Sequence, residues 1–248
     1  MLDHRIQSAA QGIQGARAQL EALVTVAADL RQRPSAPDGD PLPDEEPAPL
    51  RRAAVLILFG VLDGLPSDHT ARAEAVSHDL DVLLLARGTS LRSHPGQIAF
   101  PGGRVDPEDA GPVDTALREA REETGVDTSG VDVLGALPEV PLAFSHHIVT
   151  PVLGWWRTPS PVRVVDEVES ADVFRTPVAD LLDPANRGST VVRRDGRTWR
   201  APAFVVHQAS GDHLVWGFTG MLLNGLFDRL GWTEPWDADR VLEIPFFA

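Results

Sequence analysis

The stretch RSHPGQIAFPGGRVDPEDAGPVDTALREAREETGV, residues 92–126, is the most informative part of the sequence. A short apolar run leads into paired glycines, and acidic side chains then recur at helical spacing. Paired glycines let a backbone adopt unusual torsion angles and approach a ligand or a metal closely. The stretch therefore predicts a strand, a glycine loop and an acidic helix that together face a metal-bound phosphate.

Three glutamates lie on one face of the helix predicted over Pro112–Thr124. Glu119, Glu122 and Glu123 are related as i, i+3 and i+4, and a helix turns once in 3.6 residues. Carboxylates this close repel one another, so we expect a cation to compensate them. Magnesium or manganese suits such a set of oxygen ligands. Gly125 is expected to cap the helix in the left-handed conformation.

Composition narrows the class of protein. The 248 residues are 43% hydrophobic, which is enough for a substantial core. A net charge of -14 disfavours binding to a nucleic acid polymer. The absence of cysteine and lysine excludes thiolate nucleophiles, cysteine-bound zinc and Schiff-base chemistry. Because no membrane-spanning apolar run or secretory signal is visible, we expect a cytoplasmic protein with no membrane partner.

The chain divides into three predicted regions. Residues 1–33 have apolar positions at helical spacing and predict an N-terminal helical arm or packing helix. Residues 34–49 are rich in proline and acid and predict a linker. Residues 50–248 predict one α/β domain with helices packed on a sheet. Its strands are predicted at 53–62, 81–87, 131–137, 148–156, 191–194 and 199–206, and its second helix at 218–230.

The decisive stretch resembles the Nudix box of the Nudix hydrolases, G-x5-E-x7-R-E-U-x-E-E-x-G-U, in which U is aliphatic. Residues 118–126 match the second half, with Ala120 as the small aliphatic residue. In the first half Asp109 stands where the box has glutamate, and Arg118 follows one residue later than in the box.

Residues 83–103 resemble the additional signature of the coenzyme A diphosphatase branch of that family, L-L-T-x-R-[SA]-x3-R-x3-G-x3-F-P-G-G. The arginines, the glycine and the closing motif fall at the signature's spacing, at Arg87, Arg92, Gly96 and residues 100–103. Leu85 and Gly88 stand where the signature has threonine and serine or alanine. The resemblance covers roughly residues 50–230.

The resemblance implies a fold, the Nudix α/β/α sandwich with a mixed β-sheet. It also implies an activity, the metal-dependent hydrolysis of nucleoside diphosphates that are linked to another moiety. The branch implies coenzyme A or acyl-CoA as the substrate, with 3′,5′-ADP and (acyl-)4′-phosphopantetheine as products and Mg²⁺ or Mn²⁺ as cofactor. Another nucleotide, such as ADP-ribose, a dinucleoside polyphosphate or a nucleoside triphosphate, is the alternative substrate. A non-catalytic nucleotide-binding regulator is the alternative function.

The resemblance also implies roles for individual residues. The metal ligands would be Glu119, Glu122, Glu123 and the Gly102 carbonyl. The catalytic residues would be Glu122, Arg118 and a glutamate from a later loop, Glu167. The substrate would be bound by Arg87, Arg92, Phe100 and Gly103. The tryptophans at 155, 156 and 216 are expected to pack in the core or to form a homodimer contact.

Overall fold

A computed structural model describes residues 15–28, 51–61, 66–88, 96–142, 147–194 and 197–245. These residues form α1 (15–28), α2 (Pro112–Thr124), α3 (Val178–Leu182) and α4 (Gly217–Leu230). The strands are β1 (Arg51–Val61), β2 (Leu80–Arg87), β3 (Ile98–Ala99), β4 (Gly102–Arg104), β5 (Val131–Ala136), β6 (Val140–Leu142), β7 (His147–Trp156), β8 (Ser170–Pro177), β9 (Arg187–Arg194), β10 (Arg197–Gln208) and β11 (Gly211–Val215). Short 3-10 helices occupy Thr128–Gly130 and Pro184–Asn186.

Strand β1 is the centre of a mixed eight-stranded sheet. It runs parallel to β7, and pairs with β4 along its first half and with β2 near its end, both antiparallel. Strand β2 also pairs with β3 and β8, and β7 pairs with β5 and β6. This sheet confirms the predicted α/β class.

The sheet is covered on both faces, as the continuous apolar runs of β1 and β2 predict. Leu56 and Leu58 of β1 belong to a core cluster that includes Ala116 and Ala120 of α2. Their neighbours along the strand, such as Ile57, belong to a larger cluster on the other face with residues of α1, α3 and α4. The predicted sandwich of helices around a sheet is therefore present.

Two adjacent tryptophans of β7 pack on opposite faces of the sheet. Trp155 is buried in the larger cluster and Trp156 in the cluster under α2, with exposures of 6% and 2%. Core packing is confirmed for these two residues.

A second sheet, ordered β11-β10-β9, completes the larger core. Helix α4 packs on β10. Residues 232–245, which we name the C-terminal strap, follow α4 and return to β9, where Val241 bridges to Ser189. Trp232 at the start of the strap packs edge-on against Phe59 of β1.

Helix α1 lies against the domain. Ala16 and Leu20 are fully buried in the larger cluster, and the Trp232 indole donates a 2.6 Å hydrogen bond to Gln19 Oε1. The part of the predicted arm that the structure describes is thus a packing helix. The linker at 34–49 lies outside the described residues. Among the helices in the described ranges, none is long and apolar enough to cross a membrane.

Candidate active site

Helix α2 has clear local reasons to begin and end where it does. Pro112 occupies the first turn, where a missing N–H costs nothing. Gly125 ends the helix with φ 69° and donates its N–H to the Arg121 carbonyl, as predicted. Ala116 and Ala120 face the sheet, and a second face of the helix packs on β4. Glu119 and Glu123 of α2 are thereby brought to the paired glycines of that strand.

Each of the paired glycines is in close contact with the site. A Cβ at Gly103 would lie 2.3 Å from Glu119 Oε1, so the carboxylate occupies the space that a side chain would need. The Gly102 N–H donates a 2.8 Å hydrogen bond to Glu123 Oε2. A Cβ at Gly102 would lie 2.4 Å from the Ala54 carbonyl of β1. The rigid backbone of β1 requires glycine at position 102, whereas a side chain at position 103 would displace the Glu119 carboxylate.

Glu119 and Glu123 are two carboxylates that are largely shielded from water. Glu123 is 8% exposed, and burial raises its pKa to about 7; the Gly102 N–H opposes this shift and the charge of Glu119 adds to it. Burial also raises the pKa of Glu119, against the neighbouring Arg118 guanidinium. Buried like charges are costly unless a cation compensates them.

Arg118 is held by Asp109, the residue that stands where the Nudix box has glutamate. The guanidinium Nε and Nη2 donate to the two oxygens of Asp109, each at 2.9 Å. Asp109 also accepts from the Thr115 hydroxyl and the Asp106 N–H. Hydrogen bonds from Arg118 hold the pKa of Asp109 well below its usual range. This forked pair fixes the direction in which Arg118 points.

From this anchor Arg118 reaches two of the helix glutamates. Its Nη1 lies 3.1 Å from Glu119 Oε1 and 3.1 Å from Glu122 Oε2. Glu122 is 52% exposed at its side chain, so it lies on the solvent side of the arginine. The structure therefore brings Glu119 and Glu123 together at the glycines and holds Glu122 beside Arg118.

The donor set fits a divalent cation. In the described ranges no three acidic or histidine side chains form a ready-made metal site. The carboxylates of Glu119 and Glu123 nonetheless meet beside a Gly-Gly segment, supply only oxygen donors, and share a desolvation cost that a cation would relieve. Hard oxygen donors of this kind suit Mg²⁺ or Mn²⁺.

The predicted substrate residues are found in different places. Arg87 ends β2 with its Nε buried and without a hydrogen-bond partner, and its charge lowers the pKa of Glu123. Arg92 lies outside the described residues. Phe100 is 3% exposed and packs in the larger cluster, on the face of the sheet away from α2. Gly103 lies under the Glu119 carboxylate. Arg87 and Gly103 thus lie near the acidic cluster, whereas Phe100 is a core residue.

The later glutamate belongs to an exposed turn at residues 166–169, immediately before β8. Glu167 is exposed there. Glu169 is exposed too, and its charge contributes to the raised pKa of Glu123. Sequence reasoning missed Glu169. Glu169 directly precedes Ser170, the first residue of β8, which pairs with Arg87. A prediction of β8 would therefore have pointed to Glu169, but this strand was not predicted from the sequence.

Comparison with known proteins identifies the family. The sequence pattern of the NUDIX domain matches residues 69–195. The chain belongs to the Nudix family. A relative from Photorhabdus laumondii, named "Uncharacterized Nudix hydrolase NudL", is 37% identical over 60% of this chain and 76% of its own length. A relative of the same name from Yersinia pestis is 36% identical over 60% of this chain and 72% of its own.

Solved Nudix structures also align with this chain. A MutT/nudix family protein from Enterococcus faecalis is 17% identical, covers 77% of this chain and 65% of its own, and has a TM-score of 0.43. The NUDIX domain of Shewanella oneidensis NrtR, solved with ADP ribose, is 22% identical over 53% of this chain and 75% of its own, with a TM-score of 0.39.

Family membership establishes the general chemistry. The protein is a Nudix pyrophosphohydrolase, which hydrolyses pyrophosphate bonds in nucleotide-linked substrates. Nudix hydrolases use divalent metal ions, in agreement with the acidic cluster on α2.

Proposed function

We propose that this Nudix hydrolase cleaves the pyrophosphate of coenzyme A or acyl-CoA, giving 3′,5′-ADP and (acyl-)4′-phosphopantetheine. The observation that supports this substrate is the position of Arg87. This arginine belongs to the upstream signature of the coenzyme A branch, and its charge acts on Glu123 of α2. In this proposal the branch signature and the acidic cluster are parts of one site.

Glu119, Glu122 and Glu123, with the Gly102 carbonyl, would hold Mg²⁺ or Mn²⁺. A divalent cation bound there would supply charge neutralisation for the pyrophosphate and would help to activate the attacking water. Glu122 would join the other two glutamates by turning from Arg118, with which it now pairs at the surface.

Arg118 and Arg87 have different roles in this proposal. Arg118 is a positioning residue, because Asp109 fixes its direction and it in turn binds Glu119 and Glu122. Arg87 binds the substrate, since a guanidinium presents a planar fork that matches two phosphate oxygens. The unpartnered buried Nε of Arg87 supports this role.

The general base is proposed to come from the turn at 166–169. Glu167 has the support of the family resemblance, and Glu169 has the support of its electrostatic effect on Glu123. The matched variants Glu167→Gln and Glu169→Gln separate them, because loss of the base lowers kcat by roughly 100- to 10,000-fold, whereas the other variant should change kcat little.

Several features of the whole protein are part of the same proposal. Residues 50–248 form the hydrolase domain, preceded by the helical region at 1–33 and the linker at 34–49. The cytoplasmic location, the homodimer, and the lack of nucleic acid and membrane partners stay predictions of the sequence.

The test is hydrolysis of coenzyme A with Mg²⁺ or Mn²⁺, beside ADP-ribose, dinucleoside polyphosphates and nucleoside triphosphates, with products identified by mass spectrometry. We expect 3′,5′-ADP and 4′-phosphopantetheine, and we expect Glu122→Gln and Glu123→Gln to abolish their formation. The exposed Glu243→Gln, which lies on the C-terminal strap, is the matched control and should hydrolyse normally.

Two results would contradict the proposed substrate. Turnover of another nucleotide with coenzyme A untouched would direct attention to Leu85 and Gly88, where the chain departs from the signature. Binding of nucleotides without hydrolysis of any of them would favour the regulator.

A further inference from the structure

We propose that Gly88 is a positioning residue for catalysis: its lack of a side chain allows the turn at 166–169 to pack against the end of β2, which brings Glu169 to the acidic cluster. The inference rests on the metal site proposed above. It concerns the position at which the coenzyme A signature has serine or alanine and this chain has glycine.

The contact between Gly88 and the turn is made by backbone atoms. The Gly88 N–H donates a 2.8 Å hydrogen bond to the Glu169 carbonyl. A Cβ at Gly88 would lie 2.1 Å from the Val168 carbonyl oxygen and 3.0 Å from its carbon. A backbone carbonyl cannot rotate away as the tip of a long side chain can. Any residue other than glycine must therefore displace the turn.

The turn is internally braced, so a displacement would move it as a unit. The Val168 N–H donates to Asp166 Oδ1 at 2.8 Å, and the N–H groups of Glu169 and Ser170 both donate to the Asp166 carbonyl. Upstream, the Arg163 N–H donates to the carbonyl of Thr124 at the end of α2. The segment is thus tied to α2 on one side and to β2 on the other.

Gly88 is proposed to affect catalysis through the position of the Glu169 side chain. It follows the residue that Gly88 contacts, and Ser170 after it pairs with Arg87 across the β2–β8 ladder. Residues 163–170 are tied at one end to Thr124, the neighbour of Glu123, and at the other end to Arg87 and Gly88 of the β2 end. The electrostatic effects of Glu169 and Arg87 on Glu123 agree with this placement. Gly88 therefore sets how closely Glu169 approaches the acidic cluster.

The experiment compares Gly88→Ala and Gly88→Ser with the wild type and with Gly225→Ala. Gly225 lies in α4, where a Cβ would meet only a flexible arginine tip at 3.4 Å, so it is the matched glycine control. For each protein we would measure kcat, KM, the affinity for Mn²⁺ without substrate by calorimetry, and the free energy of unfolding. We expect both Gly88 variants to lose roughly 10- to 100-fold in kcat, because small misplacements of catalytic groups have effects of this size, with KM nearly unchanged.

Combination with Glu169→Gln tests the route of the effect. If Gly88 acts through Glu169, Gly88→Ala should cost much less kcat in the Glu169→Gln background than in the wild type. Asp166→Ala removes the hydrogen bond to Val168 without touching β2, so it should lower kcat in the same way even if the Gly88 variants fold poorly.

Normal kcat and Mn²⁺ affinity in Gly88→Ala would overturn the inference, as would fully additive losses in the double variant. Neither result would contradict the proposed function, because that function is tested by the products that the wild type forms. A wild type that neither binds Mn²⁺ nor hydrolyses any nucleotide would instead remove the proposed function.

Discussion

Gly102 and Gly103 are neighbours in sequence, but a methyl group added to each would meet different atoms. At Gly103 it would meet the flexible end of Glu119, and at Gly102 the rigid backbone of β1. We therefore predict that Gly103→Ala displaces the Glu119 carboxylate and lowers kcat and Mn²⁺ affinity at least tenfold, with little loss of stability. Gly102→Ala should lower the free energy of unfolding by about 1–3 kcal/mol.

Urea unfolding and Mn²⁺ titration of the two purified variants check this contrast. Equal losses of stability in both would show that the Glu119 carboxylate is not free to move. Unchanged metal affinity in Gly103→Ala would remove Glu119 from the proposed ligands.

Asp109 predicts a dependence of stability on pH. Its pKa is depressed in the folded protein by Arg118, so the ionised form stabilises the fold above the unfolded pKa of about 4. This contribution is lost as the pH falls below that value, towards the folded pKa. We expect the wild type to be more stable than Asp109→Asn at pH 6, and the difference to shrink steadily between pH 4 and pH 2.

Denaturant unfolding of both proteins across this pH range measures the difference. The exposed Asp239 is a suitable control position, since Asp239→Asn should leave the pH dependence unchanged. A difference between wild type and Asp109→Asn that is constant with pH would show that the Arg118 pair does not govern this titration.

Individual site residues differ in how far the sequence could reveal them. Helical spacing alone places Glu119, Glu122 and Glu123 on one face, because that depends only on the pitch of the helix. The pairing of Glu122 with Arg118 depends on Asp109, which holds the arginine, and could not be read from spacing. Glu169 was missed because its position depends on pairing between distant strands.

The sequence leaves two interpretations of α1 open, an arm or a packing helix, and the burial of α1 gives a quantitative prediction. Leu20 is fully buried against the larger cluster, whereas Val26 on the same helix is 56% exposed. We expect Leu20→Ala to lower the free energy of unfolding by about 2–5 kcal/mol, and Val26→Ala to change it by less than about 0.5 kcal/mol.

Chemical denaturation followed by tryptophan fluorescence would report both values, since Trp232 lies beside α1. Equal small effects of the two variants would mean that α1 detaches in solution and acts as an arm after all.

Elements with local signals were predicted well and those without were not. Helix α2 was predicted with its observed limits, because a proline and a capping glycine mark its ends. Strands β3 and β4 contain two and three residues, too few for any periodicity. Strand β8 is SADVFRTP, which is polar at several positions and is a strand because it pairs along β2.

Across the molecule, Glu234 joins segments that are far apart in the chain. This carboxylate of the C-terminal strap is 3% exposed, accepts from His69 Nε2 at 2.9 Å, and accepts from the Arg72 N–H at 3.1 Å. We predict that Glu234→Ala leaves these donors without a partner and lowers the free energy of unfolding by roughly 1.5–3 kcal/mol.

The exposed Glu243 of the same strap provides the control, because Glu243→Ala removes a carboxylate that water already solvates. Thermal and urea unfolding of the two variants would give the comparison. Similar stability of both would show that the strap is held by its apolar contacts alone, such as Trp232 on Phe59.

The parallel pairing of β1 with β7 has a consequence for synthesis of the protein. Arg51 pairs with His147, so the central strand must wait for a partner that leaves the ribosome about 100 residues later, on the order of 5 to 20 s at ordinary elongation rates. During that interval the edge of β1 that pairs with β7 stays open, although β2 and β4 can already pair with the other edge. Contacts of such long sequence separation also form slowly. The nascent chain should therefore depend on chaperones until β7 has emerged, and slowed translation between β1 and β7 should reduce the yield of folded enzyme.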